Sequence, residues 1–304
     1  MISPKPILLP IRQPRAVRRL PQREYRPRRK PVTVAIGYVY DEGIVFCADT
    51  KVTTSIKTNE SKLSYYESED RHCALVFTMA SDDVIFPKAA IAACWEMVGK
   101  MDFATASMEA VRNTAQFALG EFYRDHIYTH PDRTPTSVYF EMLVGIWLRN
   151  QTRLYALHET VLNPIEDYEC IGAGAYLSQY LIKQYKKANP GKSTIADAAL
   201  LAEVCVETAI EYDDKCGGEA EILIVRNSGE ISNAYKTALY PNYFAKDFQS
   251  EMWRLLRGLA VAQTNGTANA EADGLLERYC GRIREIEVHH RKWDSSTLPK
   301  DSSE

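Results

Sequence analysis

Several things are missing from this 304-residue chain. No apolar run approaches the ~20 residues that span a bilayer. The nearest thing to a signal-peptide core, "ILLPI" at 7–11, is too short and is broken by Pro10. The seven cysteines (47, 73, 94, 170, 205, 216, 280) form no C-x-x-C pair, so no ribbon-type zinc site or redox motif is written here. With no secretion signal, those thiols read as reduced, in a cytoplasmic compartment. The six histidines are scattered, and adjacent His289 and His290 would not share a helix face. They offer no metal-ligating pattern, and no cofactor is expected.

Acidic residues are nearly absent from the first thirty positions, which hold ten Lys/Arg against Glu24 alone. The remainder holds 27 basic and 39 acidic residues, a formal charge of −12. A basic arm thus precedes an acidic body, and could dock on that body or on a neighbour. Residues 1–31 also hold seven of the fourteen prolines, a density that excludes helix and sheet. It likewise excludes the amphipathic helix of a mitochondrial presequence. A loose tail, a removable propeptide and a nucleic-acid arm all fit that composition. Arginine suits the last, but Tyr25 alone offers stacking, so nucleic acid is a poor fit.

A β pattern begins at Thr33. "TVAIGYVY", the turn "DEG" and "IVFCAD" read as a hairpin, and "KLSYY", "ESEDR" and "HCALVFTMA" as a second. Two helices follow. The first opens on Ser81-Asp82-Asp83 as capping material, with Pro87 limiting its first turn. The second carries Met108, Val111, Ala115, Ala118 and Phe122 at helical spacing. Strands "VYFEMLVGIWL" and "TRLYALH" come next, then "YECIGAGA" as a strand running through a glycine turn into a helix at 176–187. A helix at about 194–212 and strands "EAEILIV" and "EISNAYK" close the pattern. Sheets and helices come in blocks rather than in βαβ alternation. The expectation is an α+β, four-layer αββα sandwich of two antiparallel sheets flanked by helices. Further helices are expected at 242–263 and 272–290, the latter with an apolar stripe of Leu276, Tyr279, Ile283 and Ile286, before a loose tail. The implied division is an arm at 1–32, a domain at 33–240 and a helical extension at 241–304.

In this order, "TVAIG…DEGIVFCADTKVT", "FTMAS" and "DDKCGG" resemble proteasome β-subunits and their bacterial relatives among the N-terminal-nucleophile (Ntn) hydrolases. The resemblance spans roughly 33–235. It implies a threonine peptidase in which Thr33 is the nucleophile, Asp49 the acid ending the second strand, and Lys62 the active-site lysine. The loop before Lys62 is about three residues shorter than the family's. The resemblance further implies that the backbone of Thr53 binds substrate, that the Ser81 N–H serves the oxyanion, and that Met79 floors the specificity pocket. Asp213 and Cys216 fall near the threonine amine. Ala173 and Cys216 stand where the family usually has serines, and Val32 where a glycine commonly precedes the nucleophile.

The chemistry explains the choice of residues. A hydroxyl is a poor nucleophile unless a base takes its proton. A free α-amine, with a pKa near ~7.7–8.0, can be that base, so removing residues 1–32 by self-processing would give Thr33 both groups. Lys62, held by Asp49, would keep the amine unprotonated by like-charge repulsion. An oxyanion donor at Ser81 would contribute about 3 kcal/mol. By resemblance, the protein is a homo-oligomer acting on peptide or unfolded-protein substrate, with an unfoldase as a possible partner and no membrane.

Other readings stand beside this one. Thr33 is also an ordinary β-branched strand starter, Asp49 a turn acid beside Lys51, Lys62 a solvated edge charge and Met79 core filler. Asp213 is also a surface residue at a helix end, with Gly217-Gly218 as its cap. A catalytically silent, assembly-forming relative that keeps its arm fits Val32, Ala173 and Cys216. An Ntn amidase acting on a small molecule would share the chemistry and differ in its pocket.

Overall fold

The computed structural model describes residues 33–53, 57–81, 84–129, 140–188, 191 and 194–233. The basic arm, the two helices expected after position 241 and the tail lie outside these described residues.

The chain runs through β1 (Val34–Tyr40), β2 (Gly43–Asp49), a small hairpin β3 (Lys51–Thr53) and β4 (Lys57–Asn59), β5 (Leu63–Glu67) and β6 (Cys73–Ser81). Helices α1 (Ile85–Val98) and α2 (Met108–Tyr123) follow, the latter continuing into a π-helical turn at Arg124–Tyr128. Then come β7 (Phe140–Leu148), β8 (Gln151–His158), β9 (Val161–Ile165) and β10 (Tyr168–Gly172). Helices α3 (Ala175–Ala188) and α4 (Ile195–Tyr212) precede β11 (Ala220–Arg226) and β12 (Ile231–Asn233). The first sheet has five strands in the order β10-β1-β2-β11-β12, and the second has five in the order β5-β6-β7-β8-β9. All pairings are antiparallel.

Three apolar cores separate four layers, as the blockwise element order implies. Strand alternation decides which core each residue joins. On β1, Val34, Ile36 and Tyr38 face α3 and α4, while Ala35 faces the other sheet. On β6, Leu75 and Phe77 face α1 and α2, while Ala74, Val76 and Ala80 face the first sheet. Because both faces are covered, the central strands read as unbroken apolar runs rather than as alternating ones. Gly145 lets the sheets close up: a Cβ there would lie 2.7 Å from Cζ of Phe46 on the opposite sheet.

Four local features depart from the sequence expectation. Ser81 is the last residue of β6 and not a helix cap; α1 starts after Val84, which makes no side-chain cap. By contrast, Ser107 caps α2 by accepting from the Ala110 N–H at 3.1 Å. Strand β9, which contains Pro164, was not among the expected strands. It is an edge strand, where a missing N–H removes no ladder bond on the outer side. The β3–β4 hairpin is too short to carry a periodic signal.

Candidate active site

The β1–β2 register pairs Ala35 with Ala48, which carries Thr33 to the end of the ladder beside Asp49. Thr33 is fully buried there. Its backbone is held by the turn after β10, where the Gly174 N–H donates to the Thr33 carbonyl at 3.2 Å. Gly172 passes so close that a Cβ would lie 2.4 Å from that carbonyl oxygen. Its φ of +90° also lies in the left-handed region that favours glycine.

Three side chains from three elements converge at this point. Lys62, just before β5, donates from Nζ to Thr33 Oγ1, and Thr33 Oγ1 donates to Asp49 Oδ1. Lys62 also reaches Asp49 Oδ1 at 2.6 Å. The same oxygen accepts the Val34 N–H at 3.1 Å, while Oδ2 accepts the Gly217 N–H at 3.0 Å. Asp49 is fully buried and Lys62 is 3 % exposed. An isolated charge at that depth would be very costly, so the pairing and the backbone donors are what make it tolerable. Burial lowers the pKa of Lys62 below its ordinary 10.5, against the pull of the Asp49 carboxylate. The amine can therefore shed its proton more easily than a solvated lysine, in contact with a hydroxyl that has a proton to give.

The remaining expected residues are placed less directly. Cys216 is 3 % exposed, and Gly174 packs so close that a Cβ there would lie 2.9 Å from its Sγ. Burial pushes its thiol up to about 12, with the Asp49 and Asp213 charges adding to the effect. At neutral pH it is a thiol and a weak hydrogen-bonding partner. Asp213 caps the end of α4 and spends its carboxylate on its own turn, with Oδ1 accepting from the Lys215 N–H at 3.0 Å. Ser81, partly exposed, ends β6 opposite Phe140. Thr53 ends β3 opposite Lys57, its side chain lying outside the description. Strand alternation turns Met79 away from the inter-sheet face of its neighbour Ala80 and into the core with α1 and α2, where it is 2 % exposed.

Two contributors were not singled out in the sequence. Lys51 does not pair with Asp49. Its Nζ donates to the carbonyls of Asp214 at 2.6 Å and Cys216 at 3.0 Å, which folds the 213–217 loop onto Asp49. Glu141 on β7 accepts the Gly172 N–H at 2.6 Å, from one sheet to the other. No local pattern marks either residue, since each acts across more than thirty positions.

Among solved structures, the chain is similar to Anbu (ancestral beta-subunit) from Yersinia bercovieri, with 12% identity and a TM-score of 0.59, covering 75% of this chain and 97% of that one. It is also similar to the Anbu complex from Pseudomonas aeruginosa, solved as a helical assembly, with 14% identity, a TM-score of 0.56 and 74% and 96% coverage. A Gly-1 mutant of Anbu from Hyphomicrobium sp. strain MC1 shows 14% identity, a TM-score of 0.54 and 66% and 84% coverage. The fold is Anbu-like. At these identities the likeness is one of fold alone. No family model and no curated protein sequence matches the chain.

Among the described residues, no helix is long and apolar enough to cross a membrane. Nor does any group of three or more His, Cys, Asp or Glu gather as a metal site.

Proposed function

We propose that this protein is a threonine-type peptidase of the Ntn-hydrolase kind, with Thr33 as nucleophile. The observation that carries this reading is the buried chain Lys62–Thr33–Asp49, in which one hydroxyl is bonded to both an amine and a carboxylate. A strand-starting threonine has no need of a buried lysine and aspartate on its side chain.

The Thr33 hydroxyl attacks the carbonyl of Val32, its proton passing by way of Lys62 to the Thr33 nitrogen as the Val32–Thr33 C–N bond breaks, and the acyl group moves from nitrogen to oxygen. Water opens the ester and residues 1–32 leave as a propeptide. The α-amine thus freed then serves as base in turnover, beside Lys62 and Asp49. In each cycle the hydroxyl adds to a substrate carbonyl and the backbone N–H of Ser81 steadies the oxyanion. The leaving amine takes the proton, and water hydrolyses the acyl-enzyme. Thr53 offers its backbone to the substrate strand. We assign residues 33–240 to the hydrolase domain and 241–304 to an extension. The substrate is a peptide or unfolded protein, delivered by an unfoldase to a cytoplasmic homo-oligomer. The Anbu complex from Pseudomonas aeruginosa, a helical assembly, supports the oligomer.

A second reading has a specific observation behind it. Cys216, a buried neutral thiol in place of a serine, thins the hydrogen bonding near the amine. That suits a silent, assembly-forming subunit. Intact mass and labelling by an epoxyketone or boronate decide between the two. The peptidase loses residues 1–32 and carries the label on Thr33. A chain that keeps its full mass and stays unlabelled is the silent subunit. Static light scattering at micromolar concentration tests the oligomer, and a monomer would count against it.

A further inference from the structure

We infer that Glu141 is a positioning residue that ties the Thr33 turn to the opposite sheet and so sets the width of the cleft across which the nucleophile works. The inference rests on the peptidase reading for its catalytic consequence, although the clamp itself does not.

Glu141 sits second in β7, directly across from Ala80 and one residue from the Phe140–Ser81 pair. Ala80 faces the first sheet. From that position the Glu141 carboxylate crosses the inter-sheet gap and accepts the Gly172 N–H at 2.6 Å. Gly172 is the last residue of β10, paired with Val34 on β1. Its neighbour in space is the Thr33 carbonyl, against which it is packed too tightly for any side chain. Two residues on, Gly174 donates to that same carbonyl. The connection therefore runs from the Ser81 end of β6, through Glu141, to the turn that holds Thr33.

The chemistry explains why an acid stands here. The Gly172 N–H lies at a strand end with left-handed backbone, and a buried peptide N–H without a partner is costly. A carboxylate accepts it in a charge-assisted bond, shorter and stronger than a neutral one. This bond joins the two sheets beside the nucleophile through side chain and backbone, next to apolar residues that pack without direction; other directional bonds cross elsewhere, from Trp147 and Thr152 to Asn227. A directional bond fixes spacing in a way that packing of Ala35, Ala48 and Ala80 does not. An attacking hydroxyl and an oxyanion donor must be held to within a fraction of an ångström, and small misplacement near the chemistry is expensive in rate.

The test compares the full-length wild type with Glu141→Gln, Glu141→Ala and Glu141→Asp. Hydrogen exchange of the peptide covering 168–177 is followed by mass spectrometry, together with the rate of Thr33 labelling by an epoxyketone. Glu141→Ala should speed exchange at Gly172 roughly tenfold or more and slow labelling by a similar factor, as loss of a charged hydrogen bond would. Glu141→Gln, which still offers an oxygen of the same reach, should recover most of both. Glu141→Asp, one methylene short, should behave like the alanine variant and keeps the test open if that variant does not fold. Wild-type exchange in Glu141→Ala would overturn the clamp. So would a glutamine variant that fails like alanine with a substrate-charge-dependent KM, since Glu141 would then act on the substrate by its charge. If exchange responds as expected while wild-type Thr33 takes no label, the clamp stands and the peptidase reading falls.

Discussion

Behind the second sheet, Phe77, Phe103, Phe122 and Phe140 fill the core against α1 and α2. Behind the first sheet, Ala198, Ala202, Cys205 and Ala209 of α4 share the core with Cys47 of β2 and Cys170 of β10. Small side chains let α4 settle close to β1 and β2, whereas aromatic ones hold α1 and α2 off by their own volume. The buried acids divide the same way. Glu203 and Glu207 of α4 are 2 % and 8 % exposed, and Asp49 lies at the end of β2. The core against α1 and α2 is apolar throughout. The half that carries Thr33 thus buries charge, and the half that faces it supplies bulk. The bulky half offers the rigid wall against which a polar site can be held to fixed dimensions.

The sharpest way to separate the halves is to remove Lys62. Lys62→Ala should stop self-processing, and turnover with it, while the domain still folds because Asp49 keeps its backbone donors. In the wild type, the rate of self-processing should rise with pH along a limb lying below the 10.5 of an ordinary lysine, since burial favours the neutral amine. A limb at or above 10.5 would show that Lys62 does not titrate in the rate. Asp49→Ala tests the cost of buried charge. It strands the Lys62 ammonium and should destabilise by about 3–5 kcal/mol, read in urea.

Phe77→Ala probes the other half. It should lose about 3–5 kcal/mol of stability by opening a cavity, yet leave the pH profile of the rate where it was. A shifted profile would mean that the two halves are not separable.

Glu203→Gln addresses the buried acid. Burial, with the Glu207 charge adding, pushes the Glu203 carboxyl up to about 8 from 4.5. The native state therefore holds a proton that the unfolded chain has released. That contribution is complete below about pH 4.5 and is lost as pH climbs through about 8. The variant should abolish this loss, gaining about 2–4 kcal/mol over the wild type at pH 9 and little at pH 4. Equal urea midpoints for the two proteins at both pH values would refute the shift. The smallest effect concerns the helix starts. Ser107→Ala should cost about 1 kcal/mol by removing the α2 cap, while Val84→Ala should cost nothing of that kind because α1 has no side-chain cap to lose.

Much of this was readable from residue order alone. Blocks of β-branched and aromatic residues, separated by turn chemistry, specify hairpins locally. Two such blocks with helices between and after them leave few ways to bury every apolar face, and the four-layer sandwich is one. Thr33 and Asp49 were singled out together by the resemblance, and the tight hairpin between them turns sixteen residues of sequence into one hydrogen bond. The helix-side destination of Met79 was less visible, because a strand covered on both faces shows no polar alternation to set its phase. Strand β9 escaped because Pro164 argues against a strand in any position but an edge, and edge position is a property of the sheet.

By itself, then, the sequence determined most of the elements and their order, since these follow from short-range pattern, whereas Thr33 and Asp49 stood out as nucleophile and acid through the resemblance to the Ntn hydrolases. Tertiary structure alone decided that Lys62 meets the Thr33 hydroxyl directly, that Lys51 folds the 213–217 loop onto Asp49, and that Glu141 reaches Gly172 on the other sheet. Each of these contacts joins segments brought together by the stacking of layers. That stacking is driven by apolar burial, which is blind to the individual polar residues it carries into contact.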